Sequence, residues 1–238
     1  MGDLSAVAGD LAPTGTLRAA VNLGNPVLAH GTPAEPGGVT VDLAREVAAR
    51  LAVPVRFLCF DAARKSFEAL TSGAADLGFL AIEPARADRV AFTAPYVVIE
   101  GVYAVAEDSP FATTADIDRP GVRIGVKEGS AYDLYLTRTV RHATIVRGAD
   151  GVTAFEDGGL EVAAGIRQPV TAYVAAHPGT RVLPGRFMEI RQAVCTTPDR
   201  GPETIAFLND LVEELKATGF VADALRRAGQ DATVAPPA

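Results

Sequence analysis

Two short stretches carry the residue types best suited to chemistry. The first is Ala81-Ile82-Glu83-Pro84-Ala85-Arg86, at the exit of the apolar run Leu77 to Ile82. That run is too short for a helix and reads as a buried strand, and Pro84 suits the first position of a helix. A strand that empties into a helix N-terminus presents backbone N–H groups, and Arg86 adds a guanidinium within the first turn. Together they form the pattern of a carboxylate-sized anion site. Taken alone, a surface arginine after an ordinary connection explains the same residues. The second stretch runs from Arg123 to Asp133. A strand ends at Val126, a glycine turn follows, and Ser130 with Asp133 three residues on resembles a capping box. Beside that capping role, the backbone N–H groups of Gly129, Ser130 and Ala131 would offer a second anion cradle. Two such places in equivalent strand–helix units reinforce each other, because ligands bind beyond the carboxyl ends of parallel strands.

The elements that must position these stretches alternate. Thr16 to Val21 reads as a strand, followed by the turn-rich Asn22-Leu-Gly-Asn-Pro26. Thr40 or Asp42 caps a helix with Leu43, Val47 and Leu51 on one face. Val55 to Phe60 is a strand, and Ser66 to Ser72 a helix with Phe67 and Leu70 inward, stopped by Gly73. Asp76 leads into the strand Leu77 to Ile82, which closes this first round; a further strand runs from Val97 to Val105. The result is β-α-β-α-β, hence a mainly parallel sheet with helices on its faces. A second round follows: strand Val122–Val126, helix Ala131–Val140, strand Thr144–Arg147, helix Gly151–Asp157, strand Glu161–Ala164 and helix Pro169–Ala176. Leu70-x-x-Gly73-x-x-Asp76 echoes Phe155-x-x-Gly158-x-x-Glu161. Arg191 to Thr196 reads as a strand returning to the first unit. Pro202–Lys216 is an amphipathic helix, and Val221–Ala228 another. Residues 1–13 and 229–238 read as loose termini.

Composition removes several function classes. A net charge of −7 without a basic cluster argues against a nucleic-acid surface. No apolar run approaches the length of a membrane span. The three histidines are far apart and lack metal-ligand spacing. Nucleophile-elbow, Walker and dinucleotide motifs are absent, so no metal or cofactor is expected. Cys59 and Cys195 lie in strand-like runs and read as free thiols. Met1 to Asp10 lacks the basic start and apolar core of a signal peptide, so the chain reads as cytosolic or as a trimmed mature form.

The order of motifs resembles the family 3 extracytoplasmic solute-binding proteins, amino-acid-type receptors of ABC transporters. The likeness lies in Gly15-Thr-Leu-Arg18, Gly38 to Leu51, Ala69-Leu-Thr-Ser-Gly-Ala-Ala-Asp76, Pro84-Ala-Arg86, Ala91-Phe-Thr-Ala-Pro-Tyr96, Val122 to Ser130 and the helix Asn209 to Gly219, so it covers roughly residues 15 to 228. It implies a periplasmic-binding-protein type 2 fold: two doubly wound α/β lobes joined by a two-strand hinge, with a ligand cleft between them. Lobe one would be 14–105 plus 193–228, and lobe two 106–192. It implies that Arg86 grips a ligand carboxylate, that the Gly129-Ser130-Ala131 turn adds donors, and that the partner is an ABC permease. A leader removed from the native chain would then place it outside the cytoplasm.

The chain departs from that pattern in instructive places. Where the family carries an acid for the ligand ammonium, this sequence has Ile166 or Arg167. A positive Arg167 would repel an ammonium and attract a second anion, or stand solvated at a helix start. First-loop positions that usually bear an acid and an aromatic are Asn22 and Asn25, and no aromatic stands near Ala62-Ala63. Glu83 replaces the usual Thr; it reads as a cap for the helix at Pro84, with the ammonium partner as the alternative. Ala81 and Ile82 complete the expected set. The expected ligand is therefore a small carboxylate or other polar solute, bound without chemistry. The alternatives are a lyase resembling cyclohexadienyl dehydratase, for which Glu83 and Glu128 are the placeable acids, and a cytosolic orphan binding protein or sensor.

Overall fold

Helix α1 (Ser5–Leu11) begins the chain. The computed structural model describes residues 4–238, and the expectation for residues 1–3 lies outside the described residues. The rest of the supposed loose leader is ordered: Val7, Leu11 and Ala12 are buried, and α1 packs on the helix Pro202–Ala217. Seven residues give too short a period to announce a helix, and a helix that short needs tertiary packing to persist.

Next come β1 (Leu17–Asn22), the two-residue β2 (His30–Gly31) and β3 (Pro36–Gly37), α2 (Val39–Arg50) and β4 (Val55–Phe60). They are followed by α3 (Ala63–Thr71), β5 (Gly78–Ala81), the single turn α4 (Pro84–Ala87) and the sixteen-residue β6 (Ala91–Ala106). Helix α2 starts earlier than a cap at Thr40 or Asp42 would allow. Gly38 turns the chain at φ +102°, where a Cβ would meet Leu28 O at 2.6 Å, so backbone geometry rather than a side chain opens the helix. The second round is β7 (Arg123–Lys127), α5 (Ala131–Thr139), β8 (Thr144–Gly148), α6 (Gly151–Gly158), β9 (Val162–Ile166), α7 (Arg167–Ala176) and β10 (Thr180–Val182). The chain ends with β11 (Met188–Thr196), α8 (Pro202–Ala217), α9 (Phe220–Arg227) and β12 (Thr233–Val234).

Two compact units result, one running through Val98 and resuming at Arg191, the other spanning Ile99–Ile190. The units divide at 98/99 within β6 and at 190/191 within β11, whereas the lobe boundaries expected from sequence are 105/106 and 192/193. In the first unit β1 pairs in parallel with β4 from Leu17↔Val55 to Asn22↔Phe60, and through Ala19↔Leu77 with the segment entering β5. Strand β5 pairs antiparallel with β11. Leu70, Leu80, Val90 and Cys195 form the core under α3, with Phe67 and Phe92 packed on it. The C-terminal tail, expected to fray, is tied down: β12 pairs with β6, Ala235 N–H donates to Tyr96 O at 3.0 Å, and Lys216 Nζ donates to Pro236 O at 2.9 Å.

In the second unit β7 lies parallel to both β8 and β9, and β9 pairs antiparallel with β6. Val102, Ala104, Ala163 and Val170 form its core beneath α6 and α7. The sequence echo has a structural counterpart. Asp76 accepts Arg18 N–H at 3.0 Å and the Arg18 guanidinium at 2.9 and 2.6 Å. Glu161 accepts Arg123 N–H at 2.8 Å and the Arg123 guanidinium at 3.0 and 2.8 Å. In each unit an acid entering the third strand locks the arginine that opens the first. Among the described residues no helix is long and apolar enough to cross a membrane.

Candidate functional site

In the first unit the chain moves from β1 out to β4 and then across to β5 on the other side of β1. Loops leaving the carboxyl ends of these strands, after Asn22, Phe60 and Ala81, therefore emerge at one edge where the strand order reverses, the usual ligand position of an open α/β sheet.

The loop after β5 carries the predicted anchor. Arg86 is 3% exposed, and its Nη1 donates to Ala81 O at 3.2 Å. Burial pulls the guanidinium below its ordinary pKa, opposed by the Cys195 thiol and the Glu83 carboxylate nearby. Glu83 does not cap α4 with its side chain, contrary to the favoured reading; it is buried, and its charge acts on Arg86. Helix α4 is only one turn long, and the Glu83 charge is set beside Arg86 instead. Ala81 is buried at the end of β5. Ile82 is 37% exposed, the one large apolar side chain among the described residues that stands out from the core. Behind them Cys195 is fully enclosed; burial pushes its thiol up to about 12 despite Arg86 and the Leu80 N–H.

The loop after β1 turns on itself. Asn22 Oδ1 accepts Gly24 N–H at 3.0 Å. Asn25 is 6% exposed, and its Oδ1 is buried without a hydrogen-bond partner among the described residues. An acceptor left so is costly unless a donor reaches it.

Between this loop and the end of β4 lies a pocket of about 310 Å³ lined by Leu23, Pro33, Cys59, Phe60, Asp61 and Lys65. None of these six is among the residues singled out from sequence. The available signal was Phe60, last in β4 and register partner of Asn22. The sequence comparison sought an aromatic two or three residues later, near Ala62-Ala63.

In the second unit the loop after β7 is occupied by its own hydrogen bonds. Ser130 N-caps α5 by accepting Asp133 N–H at 3.0 Å, and Asp133 Oδ2 accepts Gly129 N–H at 2.8 Å. Ser130 N–H donates to Lys127 O at 3.1 Å. Only half of the expected capping box forms: Ser130 caps Asp133 N–H, but Asp133 reaches Gly129 N–H rather than the Ser130 N–H, which turns back to Lys127 O. Two of the three donors assigned to an anion cradle are thereby engaged, leaving Ala131 outside these bonds. Asp133 is itself held by Arg147 Nε at 3.0 Å and Thr137 Oγ1 at 3.1 Å, which rigidifies the turn.

Arg167 stands at a helix start, as one of its two readings had it, with its side chain 37% exposed. It donates through Nε to Glu100 and through Nη2 to Gly185 O at 2.7 Å. Arg186 Nη1 reaches the other Glu100 oxygen at 3.1 Å. Burial would raise the Glu100 pKa, but the two arginines outweigh it and hold the carboxyl below its ordinary range. The charge of Arg167 is therefore answered within its own unit.

Neither acid considered for lyase chemistry stands alone in an apolar recess: Glu128 is exposed and Glu83 neighbours Arg86. Among the described residues no group of three or more His, Cys, Asp or Glu is arranged to hold a metal ion.

Solved structures share this architecture. An amino acid ABC transporter substrate-binding protein from Streptococcus pneumoniae, bound to L-arginine, superposes with a TM-score of 0.77 at 17% identity, covering 97% of this chain and 100% of that one. The P235GK mutant of ArgBP from T. maritima gives 0.76 at 21% identity, covering 94% and 99%. AncCDT-1, an ancestral amino acid-binding protein described as a precursor of cyclohexadienyl dehydratase, gives 0.73 at 21% identity, covering 91% and 96%. At these identities the likeness establishes the fold, that of two-lobed type 2 periplasmic binding proteins. No curated protein matches by sequence. Residues 17–230 match the family described as bacterial extracellular solute-binding proteins, family 3, and the chain belongs to that family.

Proposed function

We propose that this protein is a receptor for a small carboxylate-bearing solute, delivering it to an ABC-type importer outside the cytoplasm, and that Arg86 anchors the carboxylate. The observation that carries the reading is a guanidinium only 3% exposed at the strand-order reversal of the first unit. A desolvated arginine at a ligand position gives a carboxylate a strong, planar, charge-assisted partner. Relatives of the same fold were crystallised with L-arginine and with lysine, both of which present a carboxylate. Asn25, whose buried oxygen lacks a donor, is a second ligand contact in this reading. Binding without turnover is part of this reading, supported by membership of a solute-binding family.

Calorimetric titration with a panel of amino acids, 2-oxo acids and dicarboxylates tests the proposal. At least one carboxylate should bind, and Arg86→Ala should abolish or strongly weaken it while the corresponding amide or alcohol fails on wild type. Equal binding of the acid and its amide would remove the carboxylate anchor. Conversion of prephenate or arogenate, followed by product absorbance, would overturn the non-enzymatic reading.

A further inference from the structure

The geometry points to Lys65 as a specificity-determining residue that keeps the β1–β4 pocket electrically neutral, so that the ligand is a carboxylate with an uncharged, largely apolar body. This deepens the carboxylate-receptor reading and rests on it. A pocket of about 310 Å³ is at the small end of ligand sites. It is built from the loops after β1 and β4, while Arg86 follows β5 on the far side of β1. Strands lie about 4.8 Å apart, so anchor and pocket are separated by the length of a small molecule.

Four of the six lining residues, Leu23, Pro33, Cys59 and Phe60, offer carbon or a thiol. Burial raises the Cys59 pKa, which keeps that thiol neutral near pH 7. The remaining two carry opposite charges and are joined. Lys65 Nζ lies 2.7 Å from Asp61 Oδ1 and donates to Oδ2 at 2.9 Å, across the first turn of α3. The pair is exposed and contributes little to stability, but it decides which ligand tips the pocket admits. A cationic tip that approaches Asp61 meets the Lys65 ammonium, and an anionic tip that approaches Lys65 meets the Asp61 carboxylate. Like-charge encounters of this kind reject partners even where the matching attraction is weak. An uncharged tip meets neither penalty and covers Leu23 and Phe60.

The test is a titration of wild type, Lys65→Met and Asp61→Asn with L-leucine, L-phenylalanine, 4-methyl-2-oxopentanoate, L-arginine, L-lysine and L-glutamate, with melting temperatures recorded alongside. Lys65 in the first turn of α3 and Asp61 just before that helix are both solvent-exposed, so the variants should fold. Wild type is expected to bind at least one of the three uncharged-bodied carboxylates at least tenfold tighter than arginine, lysine or glutamate. Lys65→Met should shrink the margin over arginine or lysine at least tenfold, and Asp61→Asn should shrink the margin over glutamate. Arginine or lysine binding wild type as tightly as the uncharged ligands, or a margin unmoved in both variants, would overturn the assignment and leave the carboxylate receptor standing. If no member of this panel binds, the Lys65 assignment falls, and the carboxylate receptor falls with it if the dicarboxylates fail as well.

Discussion

Buried charge is the theme at the scale of single residues. Asp76 is fully buried, and its partners Arg18 and Arg200 are only partly covered. Asp76→Asn strands two guanidiniums in partial burial and should lower unfolding stability by about 3 kcal/mol, the low end for a broken buried pair; urea denaturation measures it. Arg86→Ala should weaken carboxylate binding by about 2–5 kcal/mol, the loss expected when one member of a desolvated charge pair is removed. Arg86→Lys keeps the charge but not the planar fork, so calorimetry should place it between alanine and wild type. Cys195, with a thiol raised to about 12 and no exposure, should resist an aromatic disulfide reagent at pH 8 until the protein unfolds. Reaction in the folded state at the rate of a model thiol would contradict that burial.

One element that looks dispensable in the sequence, α1, helps hold the first unit together. Asp10, in α1, accepts Gly201 N–H at 2.9 Å and Thr204 Oγ1 at 2.5 Å, so a residue from one end of the chain caps α8 near the other. Arg200 Nη1 also donates to Asp10 O. Asp10→Ala should cost about 1 kcal/mol, the usual worth of an N-cap, read from the shift of a urea midpoint at constant slope. In the second unit the Arg123–Glu161 lock makes a pH prediction. The Arg123 side-chain bonds hold the Glu161 carboxyl below its ordinary value near 4.5 despite partial burial. A depressed folded pKa stabilises above the unfolded value, and that contribution disappears as pH falls through the folded one. Wild type should exceed Glu161→Gln in stability at pH 7, and the two curves should converge below about pH 4. A constant gap from pH 3 to pH 7 would remove Glu161 from the linkage.

For the whole molecule, a ligand that binds only the folded protein must raise its melting temperature. Saturation at a hundredfold excess over Kd should contribute about 2.7 kcal/mol; a thermal-shift screen reads this before the ligand class is known. Much of the molecule was legible in its sequence. Leu77 to Ile82 announced a buried strand because an unbroken apolar run of that length fits little else, and Pro84 marked the turn after it. The alternation of strand and helix, the repeat around Gly73 and Gly158, and the Ser130 N-cap are all local patterns, fixed by periodicity, glycine turns and contacts three to six residues apart.

Tertiary structure alone decided the rest, because the deciding partners lie far along the chain. Arg167 is answered by Glu100, sixty-seven positions away, and Asp10 caps a helix that begins almost two hundred positions later. The pocket exists because Leu23, Pro33 and Phe60, from three separate segments, meet at the carboxyl ends of β1 and β4. The sequence by itself placed Arg86 just past a buried strand, in the first turn of the helix that Pro84 opens. Which charges around it were already paired, and what walls lay beside it, depended on the burial and hydrogen bonds that only the folded chain creates.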